Sequence, residues 1–140
     1  MGGRAEDVER AGAPTGIGLG GPPLVLVVED DPIIRDSVQE LLELDGYAVA
    51  TAADGRQAID LIAVNSPALI LLYMRMPVMD GWQFAATYRL MPGDHAPIVV
   101  MTAAHDAEER AAAIAADGVL PKPFDADVLL ELVASRLAVR

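Results

Sequence analysis

The stretch Leu24-Val25-Leu26-Val27-Val28-Glu29-Asp30-Asp31-Pro32 decides the fold. Five consecutive apolar residues fit a strand buried on both faces, the kind found in parallel sheets. Asp31 before Pro32 reads as a helix N-cap with proline at the first helical position, so the chain passes from that strand straight into a helix. Further apolar runs follow at Tyr47 to Ala52, Ala68 to Tyr73, Ile98 to Met101 and Val119 to Leu120. Between them the apolar residues recur at helical spacing, as in Ile33, Ile34, Val38, Leu41 and Leu42, then Ala58, Ile59 and Ile62. Asp45-Gly46 stops the first helix, Asp54-Gly55 opens the second and Asn65-Ser66-Pro67 ends it. Asp80-Gly81 opens the third, and Asp125 caps the last. Five strand-then-helix units predict an α/β protein: a doubly wound, five-stranded parallel sheet with five helices.

Upstream, residues 1–23 are rich in Gly, Ala, Pro and charge and close with Pro22-Pro23, the composition of a disordered tail; residues 24–140 form the domain. The tail contains Gly16-Ile17-Gly18-Leu19-Gly20-Gly21, formally a dinucleotide fingerprint. That motif functions only after a strand and at a helix start, whereas this copy precedes the first strand. The first ten residues, MGGRAEDVER, lack the basic and apolar regions of a secretory signal, and Glu6 breaks the myristoylation pattern. The longest apolar run, Ala68 to Met74, falls far short of the roughly 20 residues that span a bilayer. The expectation is a cytoplasmic chain without a membrane segment. With a net charge of -11 the chain repels nucleic acid and anionic lipid. It has no Cys, which excludes disulfides, thiolate chemistry and Cys-based zinc sites, and His95 and His105 alone cannot build a metal cluster.

In a doubly wound fold ligands bind beyond the carboxyl ends of the strands. The residues standing there are Glu29, Asp30 and Asp31 after the first run, Tyr73 to Met76 after the third, Thr102 after the fourth and Lys122 after the fifth. Carboxylates in the first loop repel a phosphate, which disfavours a flavin or nucleotide protein. They suit a hard divalent cation such as Mg²⁺, which prefers oxygen ligands.

These residues resemble the receiver domain of two-component response regulators, with the flavodoxin-like fold, over residues 24–137. The resemblance is carried by Val27-Val28-Glu29-Asp30-Asp31, by Met76-Pro77-Val78-Met79-Asp80-Gly81, by Thr102 and by Lys122-Pro123-Phe124. In that family a phosphohistidine donates a phosphoryl group to an aspartate at the end of the third strand. The resemblance implies that Glu29, Asp30 and the backbone carbonyl of Arg75 are metal ligands. It makes Thr102 and Lys122 the groups that sense phosphoryl oxygens, and it suggests a cis Lys122-Pro123 bond. By analogy the partner surface includes Arg110, Val119 and Asp127. The partners are proteins: a histidine kinase, a phosphotransfer protein or an output protein, with no direct contact to nucleic acid or membrane.

Two positions depart from the family pattern. The phosphoacceptor position holds Tyr73, and the aromatic reporter three residues before Lys122 is replaced by Val119. A phenol, with a reference pKa of about 10, stays neutral at pH 7 and is a poor nucleophile. Tyr73 also removes one carboxylate ligand, so weak or absent Mg²⁺ binding is expected. Its hydroxyl is free to hydrogen-bond Asp30, Glu29 or Lys122. The chain therefore reads as a non-enzymatic, phosphorylation-independent interaction module. The alternative is a working phosphorelay receiver whose Asp was changed to Tyr73 or which is phosphorylated elsewhere.

Overall fold

A computed structural model describes residues 21–103 and 107–138. Strands and helices alternate: β1 (Leu24–Val28), α1 (Pro32–Leu44), β2 (Ala48–Ala52), α2 (Gly55–Ile62), β3 (Leu69–Tyr73), α3 (Gly81–Leu90), β4 (Ile98–Ala103), α4 (Ala107–Ala113), β5 (Gly118–Lys122) and α5 (Ala126–Ala138). All pairings are parallel and the strand order is β2-β1-β3-β4-β5. The doubly wound fold read from the sequence is the fold observed. The order reverses beside β1, where the first crossovers leave in opposite directions, so the loops after β1 and β3 flank the crevice.

The helix starts follow from their caps. The Asp31 carboxylate accepts from the backbone N–H groups of Ile33 (2.9 Å) and Ile34 (3.5 Å), with Pro32 at the first helical position. Asp54 accepts from Gln57 N–H, and Asp80 forms a reciprocal capping box with Gln83. Strand alternation then sorts the core into two layers. Val25, Val27, Leu69, Leu71, Val99, Met101 and Leu120 meet Val38 and Leu42 of α1 and Leu129 and Val133 of α5. The alternate residues, among them Leu26, Ile70, Leu72 and Val100, meet Ala58 of α2, Phe84, Ala85 and Tyr88 of α3, and Ile114 after α4.

The boundaries differ from expectation where local pattern is a poor guide. β2 and β3 begin one residue late, β4 runs on to Ala103, and β5 extends over Gly118–Lys122 despite Pro121. Proline is tolerated because β5 is an edge strand, where a missing N–H need break no ladder bond. α2 stops at Ile62 because its last turn tightens: Val64 N–H bonds Leu61 O, three residues back. The tail expected over residues 1–23 lies outside the described residues up to residue 20, as does His105. Among the described residues no helix is long and apolar enough to cross a membrane.

Candidate functional site

β1, β3 and β5 end at the same edge of the sheet, with Tyr73 level with Leu120 and Lys122 two residues further on, and the same alternation that builds the α1/α5 core sends Glu29, Tyr73 and Lys122 to one side of the sheet. Glu29 continues the ladder, its N–H donating to Ala52 O at 3.0 Å, and its side chain is fully buried. The Lys122 ammonium reaches across from β5 and donates to Glu29 Oε1 at 2.7 Å. The same Nζ sits 3.8 Å from the centroid of the Tyr73 ring. One ammonium thus answers a carboxylate and an aromatic face, an arrangement strengthened by its low exposure of 19%. Burial raises the pKa of Glu29 above the usual glutamate value, against the opposing pull of the Lys122 hydrogen bond and charge.

Of the hydrogen bonds open to the Tyr73 hydroxyl, none to Asp30, Glu29 or Lys122 is made: among the described residues the ring face, not the hydroxyl, meets Lys122. The phenol is longer than a carboxylate, so the ring fills the space between β3 and Lys122. It also lines a groove of about 560 Å³ between α1 and the start of α5, with Ile33, Ile34, Leu41 and Phe124.

The remaining expected residues spread out. Asp30, one step out of phase with Glu29, is exposed. Thr102 is buried, but its neighbours Met101 and Ala103 register against Leu120 and Lys122, so alternation turns Thr102 toward the α2/α3/α4 side. Arg75 is exposed in the loop after β3, Val119 is half-buried in β5, and Asp127 is exposed in the first turn of α5. The Lys122-Pro123 peptide is cis. One participant escaped the sequence reading. Arg35 of α1 donates to the backbone carbonyl of Glu29 at 2.9 Å, which pins the first loop; its place four residues after the Asp31 cap is the only hint. Trp82 faces α4, where Arg110 lies over its ring at 5.3 Å, rather than the acidic loop.

The third loop is fixed by its backbone. Gly55 N–H donates to Met79 O and Gly81 N–H to Met74 O, both at 2.9 Å. A Cβ on Gly81 meets the Met74 Cα at 2.8 Å, and one on Gly55 meets the Met79 carbonyl oxygen at 2.8 Å, so both contacts require glycine. Between them Met79 N–H closes a γ-turn on Pro77 O at 2.7 Å, forcing the exposed Val78 to a φ of +68°. That is a strained value for a β-branched residue.

As a cation site the donor set fits poorly. Glu29 Oε1 is taken by Lys122 and Oε2 by the Asp31 N–H at 3.3 Å. Among the described residues no three His, Cys, Asp or Glu side chains gather as a ligand group. Hard cations need several free oxygen donors.

The response regulator receiver domain model matches residues 25–134. The chain belongs to the response regulator receiver family. The receiver domain is 42% identical over 111 residues to the response regulator MprA of Mycolicibacterium vanbaalenii, covering 78% of this chain and 48% of that protein. The chain thus spans about half the length of the curated relatives it matches. Among solved structures it is similar to the chemotaxis response regulator CheY4 of Vibrio cholerae. That match has a TM-score of 0.77 and 34% identity, and covers 83% of this chain and 99% of that one. A signal receiver domain of a histidine kinase from Syntrophus aciditrophicus has a TM-score of 0.75 and 28% identity, covering 84% and 91%. The fold and its place in two-component signalling follow from these matches.

Proposed function

We propose that this receiver domain works without phosphorylation, as a protein-interaction module of a two-component pathway in the cytoplasm. Tyr73 occupies the phosphoacceptor position at the end of β3. The observation that carries the reading is the Lys122 ammonium held between Glu29 and the Tyr73 ring. This internal cation satisfies the buried carboxylate that a divalent ion otherwise neutralises, and a neutral phenol offers no ionised nucleophile. Mg²⁺ binds weakly or not at all, no phosphoryl group is transferred, and the domain is not an enzyme. What it offers instead is one fixed surface for a partner, a histidine kinase, phosphotransfer protein or output protein, with Arg110, Val119 and Asp127 on the contact face.

The test is intact mass after incubation with acetyl phosphate and Mg²⁺, on this chain and on Tyr73→Asp in parallel. A phosphoryl adduct on Tyr73→Asp alone supports the reading. An adduct on the unaltered chain overturns it in favour of a phosphorelay receiver modified at another residue.

A further inference from the structure

The groove of about 560 Å³ beside Tyr73 is more apolar than the core contact of α1 requires. Val38 and Leu42 carry that contact, both buried against the sheet. Ile34 and Leu41 are half-buried on the flank of the same helix, and Ile33 in its first turn is 77% exposed. The apolar stripe of α1 thus runs past the core and forms one wall of the groove. Phe124 and Ala126 form the facing wall, and Tyr73 of β3 and Lys122 of β5 stand at the sheet between them as its floor.

Charge is distributed just as unevenly. The chain carries a net charge of -11, yet no carboxylate lines the groove, and of the residues that do line it Lys122 alone is charged. Glu29 is fully buried behind Lys122, which keeps 19% of its side chain exposed, so the ion pair turns its positive end outward. An ammonium has three donors, and Glu29 Oε1 takes one. The hydroxyls of Ser37 and Tyr73 line the same groove, and neither finds a hydrogen-bond partner among the described residues. A concave, mostly apolar site of this volume with a few polar groups inside it is the form that takes small organic ligands. A ligand small enough to enter brings an acceptor to those groups, whereas a helix lying across the walls shuts them from water unpaired.

We propose that this groove is a binding site for a small aromatic organic acid, its ring body between Ile34, Leu41 and Phe124 and its anionic group on the Lys122 ammonium. The Ser37 and Tyr73 hydroxyls supply further donors. The inference goes beyond the reading of Tyr73 as a lost phosphoacceptor. It needs Tyr73 and Lys122 where they stand, and it does not need phosphoryl transfer to be absent.

Two fluorescent probes separate charge from apolar contact: anilinonaphthalene sulfonate, an aromatic anion, and phenylnaphthylamine, the same body without the sulfonate. Titrated into the full chain, the sulfonate probe is expected to bind one to one, with saturable amide shifts at Ile34, Tyr73, Lys122 and Phe124. It is expected to bind about tenfold more tightly than the neutral probe, the scale of one charge-assisted hydrogen bond. Ile33→Glu places a carboxylate at the rim on a side chain already in solvent, so the fold is kept. It is expected to weaken the sulfonate probe about fivefold and to leave the neutral one unchanged. Val64→Glu, equally exposed at 77% beyond the end of α2, is the control and is expected to alter neither. Equal affinity for the two probes overturns the proposal, and so do shifts centred outside the groove. No saturable binding of the sulfonate probe up to millimolar concentration also overturns it and leaves the groove to the helix of a protein partner. An adduct in the acetyl phosphate test changes none of these outcomes.

Discussion

On the α1/α5 side of the sheet the strand ends stop at a groove of about 560 Å³, and what orders them is three side chains from three strands, Glu29, Tyr73 and Lys122. On the α2/α3/α4 side the loops are fastened by main chain, through Gly55 to Met79 and Gly81 to Met74, and by Arg89, which donates to the carbonyls of Ile114 and Ala115 after α4. The difference separates frame from chemistry. Backbone contacts that only glycine permits set where β3 hands over to α3, whatever residue stands at position 73. The side-chain triad sets the charge of the pocket and depends on Tyr73 directly.

The largest effect is expected at the charge pair. Lys122→Ala leaves a buried carboxylate without its cation and is expected to cost about 3 kcal/mol at neutral pH, measured by urea unfolding. The sign with pH follows from the raised pKa of Glu29. The folded state binds that proton more tightly than the unfolded chain does, so stability falls as pH rises from the usual glutamate value through the folded one. The Lys122→Ala penalty therefore shrinks as pH is lowered through that window, and Glu29→Gln in the same background abolishes the pH dependence. A penalty that is flat with pH places the loss in lost packing instead.

Next comes the frame. Gly81→Ala drives a Cβ into the Met74 backbone and is expected to destabilise by about 2 kcal/mol, with no effect on the Glu29 titration. Equal disturbance of the titration erases the distinction between frame and pocket. The smallest effect has the opposite sign. Val78→Gly relieves the left-handed strain at an exposed turn and is expected to stabilise by about 1 kcal/mol in the same unfolding assay. A loss of stability there means that the loop conformation depends on the valine side chain.

The fold was legible because three helix starts are written locally: Asp31-Pro32 and Asp54-Gly55 follow closely on apolar runs of strand length, and Asp80-Gly81 closes the loop after a third. β5 was read short because Pro-Lys-Pro resembles a turn until its place at the sheet edge is known. The strand ends that hold Glu29, Tyr73 and Lys122 were legible for the same reason as the fold. How the three meet was not. Whether Lys122 faces the hydroxyl or the ring depends on the phase of β3 and β5 and on the length of the phenol, which no local pattern encodes. The same phase separates Thr102 and Asp30 from the triad. Arg35 and the Arg89 and Arg110 contacts join residues on different elements, so they become visible only when the helices are packed.

Lys122 acts as the pocket's own cation. The direct measurement is an amide NMR titration with Mg²⁺ at neutral pH, following Glu29, Asp30, Tyr73 and Lys122 in this chain and in Tyr73→Asp. No saturable shift is expected at these residues in the unaltered chain up to millimolar Mg²⁺, and a saturable shift is expected in Tyr73→Asp. A saturable shift centred on Glu29 and Asp30 in the unaltered chain contradicts it.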